Sequence, residues 1–346
     1  MKKKILTAIF SALFLTMPTG VYGQAQKDTD AEIQTYSKTD FAMDTVISET
    51  IYTAGEDLTD SMTRTLQEVE EKWISWTNED SEIYQLNQNA GSTVTVSEKT
   101  AEYLKQTLDL SAASDGAMDA TMGQIIRLWD IDGENPHIPR QSELDALLQN
   151  VGYEKISLNG NEVTMLQGVT LDLGAVGKGI GCDSLNTYLQ EHKEVTAAIV
   201  NLGGSSVMSY GNKPDGSLWQ VAVTDPRDTE GDYLGIISLS GTEFLSTSGD
   251  YEKYFIEDGV RYHHILDPST GYPAQSGLTS VTVVCKSGLD ADGLSTACFV
   301  LGKEKAEQLL EKYDADGLFI DDSHHVYMTE GMKKRFQLLK DTYSLE

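Results

Sequence analysis

Leu171-Asp172-Leu173-Gly174-Ala175-Val176-Gly177-Lys178-Gly179 is where the chain changes its period. Apolar residues alternate with an acid, as on a half-buried strand, and a turn crowded with Gly174, Gly177, Gly179 and Gly181 then opens a helix expected to reach about His192. Glycines let the backbone approach a ligand closely and present N–H groups or carbonyls to it. Lys178 can offset phosphate charge. The run is not a P-loop, because the glycine-to-lysine spacing is wrong and no Ser or Thr follows the lysine. Taken alone, it serves equally well as a tight connection.

Upstream of this run, strand-like residues fill 153–173; downstream, Ala197–Leu202 reads as a buried strand that ends in Gly203 and Gly204. An alternating β pattern covers Thr45–Thr53. Leu58, Met62, Leu66, Val69 and Trp73 then form an apolar stripe at helical spacing. A second helix is expected over Glu98–Ser114, a small-residue turn over Gly116–Gly123, and a surface loop over 130–140. Short strands dominate Leu218–Val284. A long helix is expected from about Ala291 to Tyr313, and the strands Leu318–Ile320 and Val326–Met328 close the chain. Short strands interleaved with four main helices indicate an α+β fold.

Met1–Lys4 followed by an apolar run to Met17, with Val21 and Gly23 as small residues before a cut, has the layout of a signal peptide over 1–23. The apolar run is too short to span a bilayer. Residues 24–40 are polar and read as a flexible tether, and 41–346 as the functional domain. No cysteine near the junction offers a lipid attachment point, so the expected location is extracytoplasmic, secreted or periplasmic, with membrane anchoring in doubt. The net charge of −28 excludes nucleic-acid binding through a broad basic face. The three cysteines, widely spaced, form neither a disulfide framework nor a zinc-type pairing.

Four polar clusters carry chemistry. Asp292 and Thr296 stand four apart and would share one face of a helix, offering two hard oxygens suited to magnesium; a capping carboxylate with a buried Thr has the same pattern. Lys178 and its glycines are the second cluster. Ala117-Met118-Asp119-Ala120-Thr121 is the third, able to hold a sugar or heterocycle edge or to cap a helix at Asp119. The fourth pairs Ser246–Tyr251, including Ser248, with His263 and His264, two of the six histidines. A histidine there can take a proton from a hydroxyl near neutral pH, or sit half-buried on a strand edge. No Gly-x-Ser-x-Gly elbow supports a serine hydrolase.

Together and in this order, over about Phe41 to Gly302, the clusters resemble the FAD:protein FMN transferases, the ApbE-like proteins. The resemblance implies an α+β ApbE-like fold in two interlocked lobes with FAD between them. It implies magnesium-dependent transfer of FMN from FAD to a Thr or Ser hydroxyl of an acceptor flavoprotein, such as an extracytoplasmic electron-transfer protein, with release of AMP. It makes His264, rather than His263, the catalytic base and a nucleotide contact. It makes Asp292, Thr296 and the Ala175 carbonyl the Mg2+ ligands. Met43, Trp76, Ala117, Met118, Asp119, Lys178 and Ser248 become flavin-nucleotide contacts. Departures are Asp44 and Gly293, where the family usually has Gly and Ala, Trp76 in place of another aromatic, and Ser205 in place of Asp or Asn. An FAD pyrophosphatase using water, or a non-catalytic flavin-binding protein, would keep many of the same residues.

Overall fold

The computed structural model describes residues 32–228 and 231–346, so the expected signal peptide and the first part of the tether lie outside the described residues. Nine strands form one sheet, in the order 34–42, 45–53, 195–202, 206–210, 243–249, 278–285, 316–321, 325–328 and 344–345. Neighbours are antiparallel except for the last pair. Residues 34–40, assigned to a flexible tether, are not one: Gln34–Ala42 is a strand paired along its whole length with Thr45–Thr53. Its alternation escapes notice because both faces carry polar residues, as suits the edge of a sheet. Met43 and Asp44 make the two-residue turn between these strands, both with positive φ, 56° and 54°. Such a turn matches the twist of the hairpin, and glycine meets its backbone demand at no steric cost; Asp44 adopts it as an aspartate can.

The helices are α1 (Thr59–Val69), α2 (Glu82–Gln88), α3 (Glu98–Ala113), α4 (Gly123–Trp129), α5 (Gln141–Leu148), α6 (Gly177–Glu191), α7 (Gly288–Leu301) and α8 (Lys303–Lys312). The Leu58–Trp73 stripe becomes α1 plus a π-turn over Glu70–Ile74, with Met62, Leu66 and Val69 fully buried. Two expectations are corrected. Leu171–Leu173 lies in no strand: Asn87 accepts from the Leu171 N–H and donates to the Leu171 carbonyl, at 2.7 and 2.9 Å, and the Asp172 N–H goes to the Ala120 carbonyl at 2.8 Å. The long C-terminal helix begins earlier, at Gly288, and breaks at Gly302, whose φ of 74° no right-handed helix allows.

The large sheet is covered on both faces. Ala198, Val200 and Leu202 point to the helical side, while Ala197 and Ile199 point to a three-stranded sheet of 219–224, 233–239 and 336–338. The strand Leu278–Cys285, buried at every residue, is the consequence of being packed from both sides. A third, smaller apolar cluster joins α4 and α5 to Phe255 and Leu266, beneath the strand pair 254–257 and 260–263. Trp129 locks it to the following loop by donating to the Gly271 carbonyl at 2.7 Å.

Helices α6 and α7 touch backbone to backbone where they begin. A Cβ added at Gly179 would lie 2.1 Å from the Gly288 carbonyl oxygen, and one added at Gly288 would lie 2.4 Å from that of Gly179. No side chain can step aside there. Gly179→Ala is expected to lower stability by about 1–3 kcal/mol, the usual cost of overpacking, read as an earlier denaturant midpoint at unchanged slope. A midpoint equal to that of the wild type would refute the close crossing.

Candidate active site

The contact between α6 and α7 is closed by two carboxylates, each from one helix and each set on the other helix's N-terminus. Asp183, on α6, accepts the Gly288 and Leu289 N–H groups at 2.7 and 2.8 Å. Asp292, on α7, accepts the Gly179 N–H through Oδ2 at 2.9 Å. First-turn N–H groups lack intrahelical partners, so both carboxylates satisfy backbone donors and meet the positive end of a helix dipole. Burial nonetheless pushes both pKa values up, that of Asp183 to about 6, against the lowering effect of those N–H bonds. For Asp292, Lys178 is the largest of the opposing influences.

Hydroxyl groups fill the space around Asp292. Ser206 Oγ donates to Asp292 Oδ1 at 3.3 Å and receives a bond from Ser246 Oγ at 3.0 Å. Ser248 Oγ lies 2.8 Å from Ser295 Oγ and 3.2 Å from Thr296 Oγ1. The sequence pattern that places Asp292 and Thr296 on one face of α7 thus meets the strand Glu243–Gly249 from the sheet. Lys178, in the first turn of α6, donates to Ser205 Oγ.

A magnesium ion, implied by the resemblance, is tested by the donor set. Among the described residues no three His, Cys, Asp or Glu side chains cluster to hold a metal. The oxygens that are present fit a hard cation that keeps several waters. Asp292 has lone pairs left after its bonds to Gly179 and Ser206. Thr296 supplies a half-buried hydroxyl. The Ala175 carbonyl, one residue ahead of the α6 N-cap Val176, receives no hydrogen bond from the described residues, the Gly179 N–H having gone to Asp292.

The two histidines part company. His263 ends a strand and turns inward: it is buried, packs edge-on against Phe299 with ring centres 5.4 Å apart, and its Nε2 donates to the Ala274 carbonyl at 3.1 Å. His264 extends the same ladder by one residue, its N–H donating to the Lys253 carbonyl at 3.0 Å, and its ring faces the other way. Its Nδ1 lies 3.2 Å from the same carbonyl, which assigns the proton to Nδ1 and leaves the Nε2 lone pair free. Desolvation first, and then Lys253, His263 and Lys178, hold the His264 pKa below its ordinary value, so the ring is a neutral base at pH 7.

The remaining expected contacts are distributed as follows. Met43 has its N–H bonded to Glu70 at 2.8 Å. Trp76 is exposed, with the Arg127 guanidinium over its ring. Ala117 and Met118 are buried, Met118 beneath Gly293 of α7. Asp119 is not a helix cap: Oδ1 receives both the N–H and the hydroxyl of Thr121, at 2.9 and 2.7 Å, and Oδ2 the Tyr153 N–H at 2.8 Å. Sequence reasoning missed two residues. Asp183 gave no local signal, since it serves backbone 105 residues away. Glu252, a carboxylate acting electrostatically on both Asp292 and Lys178, follows the Ser246–Tyr251 cluster by one position.

The chain belongs to the ApbE family, which matches residues 43–319. It is 33% identical over 299 residues to the FAD:protein FMN transferase of Treponema pallidum, covering 82% of each chain. It is 34% identical to that of Vibrio cholerae over 277 residues, covering 78% of this chain and 82% of the relative. Among solved structures, the ApbE protein of Thermotoga maritima superposes with a TM-score of 0.81 at 31% identity, over 87% of this chain and 99% of that one. The flavin transferase ApbE of Vibrio cholerae gives 0.78 at 29%, over 88% and 100%.

The opposed orientations of the histidines set a clear expectation. His264→Ala should lose turnover by at least ~10²-fold, on the scale of a missing general base, while His263→Ala should keep its chemistry and lose stability. Single-turnover rates and melting temperatures of the two variants check this; the reverse ranking would overturn the assignment.

Proposed function

We propose that this transferase moves FMN from FAD to a threonine or serine hydroxyl of an acceptor flavoprotein and releases AMP, in a magnesium-dependent reaction. The observation that carries this is the Asp292–Gly179 bond, which sets a carboxylate and the N-terminus of α6 at one point, with hydroxyls around them. A helix N-terminus attracts phosphate, and the carboxylate recruits a cation to it. Asp292, Thr296 and the Ala175 carbonyl would hold the magnesium. Bound there, the ion supplies charge neutralisation to the pyrophosphate.

The chain's own groups do the rest. Lys178, in the first turn of α6, meets phosphate charge that an acidic protein would otherwise repel. The Nε2 of His264 takes the proton of the acceptor hydroxyl as its oxygen attacks the phosphorus on the riboflavin side. The bond from that phosphorus to the AMP phosphate breaks, and AMP leaves with the electron pair. The products are an FMN phosphoester on the acceptor and AMP.

Incubation with FAD, magnesium and a flavin-free acceptor, followed by in-gel flavin fluorescence and mass spectrometry, tests this. Free FMN without labelled protein would favour the pyrophosphatase instead. Asp292→Ala should abolish turnover, whereas Thr296→Ala, which removes a neutral ligand, should lose less; near-normal magnesium-dependent turnover in Asp292→Ala would remove the basis of the metal assignment.

We also propose that the chain is exported and acts outside the bacterial cytoplasm, from the leader-like sequence of its first 23 residues. N-terminal sequencing of the product should begin near Gln24. A product that keeps Met1 would contradict it.

A further inference from the structure

A cavity of about 450 Å³, of a size that takes a small molecule, is lined by Trp76, Tyr84, Gln88, Arg127 and Thr170. Arg127 comes from α4. Its guanidinium carbon lies 4.5 Å from the centre of the Trp76 ring, in cation–π contact. The side chain is half-buried and makes no hydrogen bond or ion pair with the described residues; Asp172 acts on it only from a distance. This sets it apart in a chain of net charge −28. Arg140, Arg227, Arg261 and Arg335 each hold a carboxylate. An unpaired cation withdrawn from water is costly, and five planar N–H donors remain unused. Burial lowers the pKa of Arg127 for the same reason.

We propose that Arg127 is a further contact to the flavin ring beside Trp76, its guanidinium donating to the carbonyl edge of the ring. The donor geometry selects this end of FAD. The pyrimidine ring of a flavin presents two adjacent acceptor pairs, O2 with N1 and O4 with N5, which suit a planar fork; adenine sets its N1 and N7 acceptors beside an amino donor, which opposes a second bond from the fork. The inference rests on the flavin-transfer reading, and on Trp76 as a nucleotide contact. It adds a residue that neither the sequence motifs nor the metal-and-histidine centre requires.

Binding of riboflavin, FAD and AMP to the full chain, measured by calorimetry with magnesium present, tests it. Arg127→Gln should weaken riboflavin and FAD by roughly tenfold, the scale of a lost charge-assisted bond, and leave AMP unchanged. Arg127→Lys should recover only part of the loss, because a point charge lacks the planar fork. An unchanged AMP affinity and an unchanged melting temperature in both variants separate this from damage to the fold. Wild-type protein that binds FAD, with Arg127→Gln binding riboflavin and FAD equally well, overturns this inference alone. The same holds if the loss falls on AMP, or if only the KM for the acceptor rises. Wild-type protein that binds no FAD overturns the flavin-transfer reading, and this inference with it.

Discussion

Asp183 and Asp292 exchange helix ends: each leaves its own helix to bond the backbone at the start of the other. The exchange is possible only because Gly179 and Gly288 let the two backbones meet without side chains between them. A capping bond of this kind is worth about 0.5–2 kcal/mol. Burial of the carboxylates works against it, as their raised pKa values record. The two aspartates differ in what they have left to give. Both oxygens of Asp183 are bonded to backbone N–H groups. Asp292 gives one oxygen to an N–H and the other to a serine hydroxyl at a longer 3.3 Å, and so retains capacity toward a ligand. One carboxylate therefore fastens the crossing, and the other uses it.

Electrostatics follow the same geometry. The chain as a whole repels anions, yet Lys178, Lys253 and Arg127 act where Asp172, Asp292 and His264 gather. Local cations in a strongly acidic molecule create a restricted region that an anionic nucleotide can occupy, while the remaining surface discourages it. Burial, with Lys253 and Lys178, keeps His264 neutral.

How much of this was legible in the sequence depends on the range of each interaction. The glycine run, the Leu58–Trp73 stripe and the Asp292–Thr296 spacing are local, and they led to α6, α1 and one face of α7. The opposed faces of His263 and His264 are those that strand alternation requires of successive residues. What failed was non-local or compensated. Gln34–Ala42 is polar on both sides and became visible only through its partner strand. Leu171–Leu173 has the alternation of a strand, but an asparagine takes both backbone groups of Leu171 and the Ala120 carbonyl takes the Asp172 N–H. The short helices α2, α4 and α5 fall below the length at which periodicity speaks clearly. The local sequence allowed Asp119 to be a helix cap; in the folded chain its oxygens brace the backbone of Thr121 and Tyr153 instead.

The bond from Asp292 to Gly179 spans 113 residues, and the return bond from Asp183 to Gly288 spans 105. Neither can form in a growing chain until the start of α7 has been made, and neither forms by local search. The loop entropy of that closure must be met by strands far apart in sequence, which slows folding. An unfinished chain therefore has a glycine-rich helix start without the carboxylate that caps it. The crossing that joins α6 to α7 is thus an assembly of distant parts, complete only when residues 288–292 have been added to the chain.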